Sequence, residues 1–396
     1  MQTTDAFVGL ACLECGATHS DSMSGRCHDC GGILDPAYDY GSIDVDRDAL
    51  STRPFDSMWR YESVLPFARE RAVTLSEGGT PLIECPALAA EIGVERVLLK
   101  DDGRNPSGAS VDRGTSLTVT AVRAAGETTV ALASAGDSGQ SAAAYAARAG
   151  VDAHVFLPAR SGFTSKAMVN VHDADLTVGG GRFGDALDAY EAALTERDEW
   201  IPILPFETPY RHEGQKTILY EVVEQLDWTA PDAVVAPAAH GAGIVGLGKA
   251  ARELVELGVL PDGPALFAAQ ASGCAPLVDA WENEREHHEP WSQPDTICGE
   301  LEIPDPVGSP YVLSVLRESD GGAVATDDAD ILESGAAIAR NEGVSVGPSA
   351  AAAVSGAWEL GRRGTFDPDD TVVVVGTASA NKEPDVLRSH LMGQGV

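Results

Sequence analysis

The sequence predicts an α/β protein built on parallel sheets, with a small metal-binding module in front of it. Short apolar segments alternate with helical patterns over most of the 396 residues, as in chains whose strands are joined by helices. The run Val372–Val375 is a continuous apolar strand, which is typical of a parallel sheet buried on both faces. Two Cys-x-x-Cys pairs near the N-terminus indicate the metal-binding module.

The charge of the chain bears on its partners and its solvent. The formal net charge is −34, from 61 acidic and 27 basic residues, which disfavours nucleic acid and anionic membrane surfaces as partners. The acidic residues are spread along the chain, so we interpret them as an adaptation to concentrated salt, where a Debye length of about 3 Å screens self-repulsion. An acidic interaction face is the alternative. No membrane-spanning run and no signal peptide is recognised, so we expect a cytoplasmic protein.

Four of the seven cysteines form the predicted metal-binding module. Cys12 and Cys15 make one pair, and Cys27 and Cys30 make the other. Two such pairs bring four thiolates together as a tetrahedron, which closes the coordination sphere of Zn²⁺, so we predict a structural zinc ribbon. Disulfides and free thiols are the alternatives, and a reducing cytosol argues against disulfides. His19 is interpreted as a bystander.

The stretch from residue 97 to residue 114 has the pattern of a strand, a loop and the start of a helix. Val97–Leu99 is apolar and bounded by charge, which predicts a strand. Asn105-Pro106 and Gly108 interrupt the pattern and predict a loop. Asp112 can begin a helix, because an acidic side chain satisfies free N–H groups at a helix N-terminus.

The loop Asn105–Gly114 closely resembles that of the threonine synthases, and more broadly of the tryptophan-synthase-β-like family of pyridoxal phosphate (PLP) enzymes. The family pattern is roughly Asn-Pro-Thr-Gly-Ser-Phe-Lys-Asp-Arg-Gly, and its lysine holds the cofactor as a Schiff base. In this chain Val111 stands at the position of the lysine, and Ser110 at that of the phenylalanine. Valine has no amine, so position 111 cannot form that link.

The resemblance covers essentially the whole chain and implies a fold and a domain organisation. Further matching segments are Met58–Tyr61, Leu75–Leu82, Pro209–Thr217, Glu342–Ala350 and Lys382–Pro384. The implied fold is that of fold-type-II PLP enzymes, in which two α/β lobes with parallel sheets enclose a cleft, here preceded by the zinc ribbon. The predicted domains are a zinc ribbon at 1–40, a linker arm at 41–70 and a threonine-synthase-like α/β region at 71–396, whose smaller lobe spans roughly 115–205.

The resemblance also implies positions for a cofactor, and several of them have changed. Asp137 replaces the asparagine that contacts the pyridine 3′ oxygen in the family, and a carboxylate there would repel a phenolate. In the loop that cradles the cofactor phosphate, Gly241 is kept, while Ala242 and Gly243 replace a glycine and an asparagine. Thr377 matches the hydroxyl residue that faces the pyridine nitrogen. The family resemblance therefore implies PLP as a cofactor, whereas the changed residues at these positions disfavour its binding.

The positions that bind the substrate phosphate in the family keep suitable side chains. In threonine synthases an arginine and hydroxyl groups share this task, and the matching positions are Ser134, Ser138 and Arg211. A guanidinium with hydroxyls at the start of a helix suits a phosphate. The alternative is that Arg211 pairs with one of the many carboxylates of the chain.

Three functional hypotheses follow. The first is a pseudoenzyme of the threonine synthase family that binds a phosphorylated small molecule or a partner, as a homodimer or with a related subunit. The second is an active threonine synthase, which converts O-phosphohomoserine to threonine and phosphate by means of Lys100, Lys216 or Lys382. The third is a PLP-free enzyme with Asp137 or His240 as base. Four losses in one pocket favour the first hypothesis.

Overall fold

Strands and helices alternate through the computed structural model, which describes residues 1–393. The strands are β1 (Phe7–Cys12), β2 (Thr18–His19), β3 (Leu34–Tyr38), β4 (Leu82–Glu84), β5 (Arg96–Asp101), β6 (Thr129–Ala133), β7 (Asp152–Leu157), β8 (Asp175–Val178), β9 (Ile201–Pro202), β10 (Ala233–Pro237), β11 (Ala265–Ala271), β12 (Gly322–Thr326) and β13 (Thr371–Gly376).

The α-helices are α1 (Arg47–Thr52), α2 (Pro86–Ile92), α3 (Val111–Ala125), α4 (Asp137–Ala149), α5 (Phe163–Val171), α6 (Phe183–Leu194), α7 (Tyr210–Gln215), α8 (Thr217–Gln225), α9 (Ala242–Glu256), α10 (Pro276–Glu282), α11 (Ser309–Glu318), α12 (Asp328–Glu342), α13 (Pro348–Arg362) and α14 (Pro384–Gly393). Short 3-10 helices lie at Tyr40–Ser42, Met58–Val64, Arg69–Arg71, Asp102–Arg104, Gly299–Leu301 and Ala380–Lys382. None of the described helices combines the length and the apolar character that crossing a bilayer requires.

The described strands form three sheets. The N-terminal sheet has the order β2-β1-β3 and is antiparallel. A six-stranded sheet has the order β12-β11-β10-β13-β5-β4, and all its neighbours are parallel except β4 against β5. A four-stranded sheet, β8-β7-β6-β9, is parallel throughout. The predicted α/β class with parallel sheets is confirmed.

The chain divides into two compact units that are interleaved in sequence. The first unit comprises residues 1–79, 111–221 and 252–261, and it holds the N-terminal sheet and the four-stranded sheet. The second unit comprises residues 80–110, 222–251 and the chain from 262 onward, and it holds the six-stranded sheet. The predicted division into consecutive domains at 1–40, 41–70 and 71–396 stays a prediction.

Strand β13 is the valine run that the sequence predicts to be buried. Val372–Val375 are at most 1% exposed, because β10 and β5 flank the strand in the sheet and α13 lies across one face. The helix approaches the sheet closely, since a Cβ atom added to Gly356 would lie 3.0 Å from side-chain atoms of Ala269 and Val324. Ala350–Ala353 are fully buried for the same reason, and only small side chains fit there.

The central loop has the predicted order of elements. The predicted strand is β5, and the predicted helix α3 begins at Val111, one residue before Asp112. Between them, a short 3-10 helix leads into a turn in which the N–H of Gly108 donates to the carbonyl of Asn105 at 2.8 Å. Gly108 has a φ of +84°, a backbone conformation that favours glycine.

Two groups of fully buried charges stabilise the helices of the first unit. Arg113 makes a bidentate pair with Glu221 at 2.6 and 2.9 Å. Lys216 Nζ lies 2.5 Å from a carboxylate oxygen of Glu213 and 2.9 Å from one of Glu253. Each of these cations has a carboxylate partner, which offsets the cost of removing both charges from water.

We expect the free energy of unfolding to rise with salt concentration, because the net charge of −34 makes the folded chain repel itself in dilute buffer. Raising KCl from about 0.1 M to about 2 M shortens the Debye length from about 10 Å to under about 3 Å. The melting temperature, followed by circular dichroism, should rise by roughly 10 °C. Sucrose of equal osmolality controls for solute exclusion. A melting temperature that does not change with KCl would contradict the interpretation of the acidic surface.

Candidate functional site

Val111 is the first residue of α3 and is half-buried. Its carbonyl oxygen accepts a hydrogen bond from Thr115 Oγ1 at 2.9 Å, and its side chain carries only carbon. A cofactor that needs an amine at this position therefore does not fit the residues that are present. No chemical step through such a cofactor follows from this site.

The three lysines considered as replacements are buried and already engaged. Lys100 Nζ donates to the carbonyl oxygen of Thr80 at 2.8 Å, within the second unit. Lys382 Nζ donates to the carbonyl oxygen of Ser107 at 3.2 Å, also within the second unit. Lys216 is held by its two carboxylate partners in the first unit. The active-enzyme hypothesis requires one of these amines to leave its partners.

Arg211 is the second residue of α7 and is only 3% exposed. Its Nη1 donates to Thr115 Oγ1 at 2.8 Å, and its Nη2 donates to Ser138 Oγ at 2.9 Å. Both partners are neutral hydroxyls, and within residues 1–393 the guanidinium makes no ion pair. The alternative that Arg211 pairs with a carboxylate is not observed. The structure thus brings two of the predicted phosphate-binding residues together.

The electrostatic situation of Arg211 favours an anion. Burial lowers the pKa of Arg211 to about 10, and the negative charge of Asp112 opposes this shift, so the side chain is a cation at neutral pH. Asp112 is itself buried, and its Oδ1 accepts a hydrogen bond from Ser141 Oγ at 2.6 Å. A buried charge without a direct counter-ion costs several kcal/mol. An anion that reaches the guanidinium removes this cost and gains charge-assisted hydrogen bonds.

The turn between β6 and α4 presents Ser138 to the guanidinium. Ser134 Oγ accepts hydrogen bonds from the backbone N–H groups of Gly136 and Gly139, both at 2.9 Å. This predicted site residue therefore stabilises the conformation of the turn. Asp137 is the first residue of α4, is 7% exposed, and precedes Ser138 directly. A carboxylate at this point weakens the attraction of an anion to the helix N-terminus.

Helices α3 and α7 approach so closely that only glycine fits at two positions. A Cβ atom on Gly114 would lie 2.4 Å from the carbonyl oxygen of Arg211. A Cβ atom on Gly214 would lie 2.3 Å from the carbonyl oxygen of Arg113. These contacts place the backbone of Arg211 beside the first turn of α3, where Thr115 accepts its hydrogen bond.

The residues predicted to hold a cofactor phosphate and ring belong to the second unit, apart from Asp137. Gly241 has a φ of +100°, and a Cβ atom there would lie 2.5 Å from a side chain of α11. Ala242 and Gly243 are the first two residues of α9, and the carbonyl oxygen of Thr377 accepts the N–H of Ser110 at 2.7 Å. Among these loop residues only Gly241 has to be glycine for the backbone to take this path. A cofactor-binding role for the set stays a prediction.

The two bases named by the third hypothesis lie in different units. His240 precedes Gly241 in the second unit, and its carbonyl oxygen accepts the N–H of Gly308 at 3.1 Å. Asp137 lies in the first unit at the start of α4. A catalytic role for either side chain stays a prediction.

The four predicted metal ligands come together in the first unit. The sulfur atoms of Cys12, Cys15, Cys27 and Cys30 all lie within 4.8 Å of one another, with Cys12 to Cys30 at 3.5 Å and Cys15 to Cys27 at 3.8 Å. A zinc tetrahedron with Zn–S bonds of about 2.3 Å has sulfur–sulfur edges of about 3.8 Å. The cluster therefore fits Zn²⁺, and its cysteines are not joined as disulfides.

The pKa values of two thiols in the cysteine cluster also favour a bound cation. Burial raises the pKa of the Cys12 thiol, but hydrogen bonds from neighbouring backbone groups and from Cys30 lower it to about 7. The N–H of Gly32 lowers the pKa of Cys30, but the adjacent thiols raise it to about 12. A thiolate at Cys12 therefore opposes the ionisation of Cys30, and a bound metal cation would stabilise both thiolates.

Sequence reasoning missed two side chains at these sites. The sequence gives no ligand role to His19, yet its Nε2 lies 3.2 Å from Cys27 Sγ. The pairing of β1 with β2 places it there, which the Cys-x-x-Cys spacing does not reveal. Thr115 bonds to Arg211, and the only available signal was its position one helical turn after Val111.

Comparison with known proteins identifies relatives over nearly the whole chain. The family model described as "Pyridoxal-phosphate dependent enzyme" matches residues 73–378. A threonine synthase of Methanosarcina acetivorans is 38% identical over 380 residues, which are 96% of this chain and 93% of that protein. A threonine synthase of Methanocaldococcus jannaschii is 35% identical over 379 residues, which are 94% of this chain and 93% of that protein.

Solved structures resemble the fold. A fungal L-serine ammonia-lyase from Rhizomucor miehei superposes with a TM-score of 0.68 at 21% identity, over 79% of this chain and 97% of the other. A threonine deaminase from Solanum lycopersicum superposes with a TM-score of 0.67 at 19% identity, over 80% and 88% of the two chains. The predicted fold-type-II architecture is thereby confirmed.

Replacing one cysteine of the cluster should abolish metal binding. We expect the purified protein to hold about one equivalent of zinc and the Cys27→Ser variant to hold almost none, because three thiolates and a hydroxyl bind Zn²⁺ far more weakly than four thiolates. Zinc is measured by mass spectrometry of the desalted protein. Cys274→Ser, in a buried cysteine of the second unit, is the matched control and should keep its zinc. Zinc retained by Cys27→Ser would contradict the assignment.

Proposed function

Since the chain belongs to the threonine synthase family of pyridoxal-phosphate dependent enzymes, we propose that it binds a phosphorylated small molecule at Arg211 without a lysine-linked cofactor. The observation that carries this proposal is the buried guanidinium of Arg211, whose hydrogen-bond partners are two neutral hydroxyls. A phosphate group supplies the negative charge that this arrangement lacks, together with oxygens that accept charge-assisted hydrogen bonds.

The surroundings of Arg211 indicate how a phosphate would be held. The guanidinium would supply N–H donors and Ser138 a hydroxyl, and the N-terminal end of α4 would add the positive end of its helix dipole. The carboxylate of Asp137 opposes the anion at the same helix end. We therefore infer moderate affinity, and a ligand whose remaining part contributes binding of its own.

The proposal that the chain performs no cofactor chemistry rests on the residues at the site. Val111 offers no amine, and the candidate lysines are buried and bonded elsewhere. Asp137 puts a carboxylate where the family has an amide. These side chains favour a protein that has kept phosphate recognition and lost the reaction.

The relatives favour a second candidate function, an active threonine synthase. Two proteins named threonine synthase are 38% and 35% identical over almost the full length, and these names support the active enzyme better than they support a pseudoenzyme. Such a function would place the chain in the cytoplasm and require a second source of an amine. The two candidates share the phosphate site and differ only in the chemistry.

Phosphate binding should depend on the charge of two side chains. We expect Arg211→Gln to weaken the binding of inorganic phosphate at least about tenfold, because a charge-assisted hydrogen bond contributes about 1.5–3 kcal/mol. Asp137→Asn should strengthen it, since a repelling charge is removed. Binding is measured by isothermal titration calorimetry in KCl, with Arg388→Gln at an exposed position as control.

A second readout separates binding from folding in the same variants. Without phosphate, Arg211→Gln should unfold at a temperature no lower than the wild type, because the buried charge is gone. Phosphate binding that is unchanged in Arg211→Gln would refute the proposed site.

Trapping with borohydride distinguishes the two candidate functions. The wild-type chain is incubated with PLP, reduced and mapped by peptide mass spectrometry, and we expect no stoichiometric lysine adduct. Val111→Lys, which restores the amine of the family, is the positive control and should be modified at position 111. A stoichiometric adduct on Lys100, Lys216 or Lys382, with release of phosphate from O-phosphohomoserine, would establish the active enzyme instead.

A further inference from the structure

We propose that the N-terminal sheet (β1–β3) positions Arg211, so that metal at the cysteine cluster sets the affinity of the anion site. Asp35 and Tyr38 on β3 are the positioning residues, and they act through the two residues that follow Arg211 on α7. This inference rests on the proposed phosphate binding at Arg211 and adds its regulation by a site elsewhere in the first unit.

The first step is the direct contact between β3 and α7. His212 Nε2 lies 2.9 Å from Asp35 Oδ1, and the Tyr38 hydroxyl donates to Glu213 Oε1 at 2.5 Å. His212 and Glu213 are fully buried. Because buried polar groups are costly without partners, these two bonds specify where α7 lies against the sheet.

The second step is a further link between α7 and β3, which runs through the buried charged residues. Lys216 Nζ is paired with Glu213 and lies 4.4 Å from the ring centroid of Tyr38, which makes a cation–π contact. The hydroxyl of Tyr40 donates to Glu253 at 3.0 Å, and Glu253 also binds Lys216. The residues that flank the guanidinium on its C-terminal side are therefore tied to β3 and to the segment that follows it.

The third step is the dependence of β3 on the metal site. Cys12 on β1 lies opposite Leu34 on β3 in the antiparallel ladder. The apolar cluster of this sheet contains six buried residues, two of which are the metal-binding cysteines: Phe7, Leu10, Cys12, Cys27, Leu34 and Tyr38. A core of this size does not hold such a module without a metal or another cross-link. Loss of the metal therefore loosens the strand that carries Asp35 and Tyr38.

The fourth step is the sensitivity of α7 to these contacts. The helix has six residues, which is too short to be stable by itself, so its packing decides its position. Glycine contacts with α3 hold one side of it, and β3 holds the side chains of His212 and Glu213. When the contacts with β3 are lost, the guanidinium moves relative to Thr115 and Ser138, whose hydrogen bonds tolerate displacements of only a few tenths of an ångström.

Metal removal tests the coupling in the full-length protein. The affinity for inorganic phosphate is measured with zinc bound, after removal of zinc with a chelator, and after zinc is added back. We expect removal to weaken phosphate binding at least about fivefold, at the lower end of couplings between two sites, and addition of zinc to restore it. Equal affinity with and without zinc, in protein whose circular dichroism is unchanged, overturns the inference.

Substitution of Asp35 tests the contact without disturbing the metal. In zinc-loaded protein we expect Asp35→Ala to weaken phosphate binding at least about threefold, since His212 loses its partner. Asp35→Asn keeps an acceptor oxygen and should bind phosphate nearly as the wild type does. Asp5→Ala, at an exposed position of the same module, is the matched control for the loss of a carboxylate.

The sign of the effect separates positioning from electrostatics. Removing any carboxylate should strengthen anion binding by charge alone, so weaker binding by Asp35→Ala, with zinc content and melting temperature retained, supports positioning. Unchanged or tighter binding by Asp35→Ala overturns it. If the zinc-loaded wild type does not bind phosphate, both the proposed function and the inference are overturned. If it binds phosphate with an affinity that depends neither on zinc nor on Asp35, only the inference is overturned.

Discussion

The first unit depends on how the charges of its buried cations are balanced. Arg113 and Lys216 are fully buried and are paired with carboxylates, so their charges are neutralised within the protein. Arg211 is buried on an adjoining helix and has only hydroxyl partners. In a chain with 61 acidic residues, a buried guanidinium that makes no ion pair within residues 1–393 is a specific arrangement. This arrangement favours an anionic ligand at the guanidinium, as the proposed function requires.

Local sequence patterns predict the strands, the helices and the cysteine cluster. The contacts that position the candidate site join residues far apart in sequence, and local patterns do not reveal them. The apolar run at β13, the strand and helix around the central loop, and the cysteine spacing are each encoded within about twenty residues, so sequence periodicity and spacing identify them. The bond of Asp35 to His212 joins residues 177 positions apart and has no local signature. For the same reason sequence reasoning could name Arg211 and still leave open whether a carboxylate neutralises it.

The proposed function separates recognition from chemistry within this fold, and the two depend on different kinds of structural feature. The glycine contacts between α3 and α7, the turn at Ser134 and the position of Arg211 are backbone and packing features, and none of these contacts involves the side chain of Val111. Loss of one amine removes a reaction at once, whereas loss of an anion site requires several contacts to fail. A likeness of 38% identity to a threonine synthase is therefore compatible with the proposed pseudoenzyme.

The scarcity and burial of lysine give the chain an unusual surface. Of its five lysines, all within the described residues, Lys100, Lys216, Lys249 and Lys382 are at most 6% exposed, which leaves Lys166 on α5 as the lysine with access to solvent. Among the lysines, an amine-directed reagent should accordingly react with the folded chain at Lys166. Without any engineered cysteine, the protein thus offers a defined lysine in the first unit to which a fluorophore can be attached and from which motion can be followed optically.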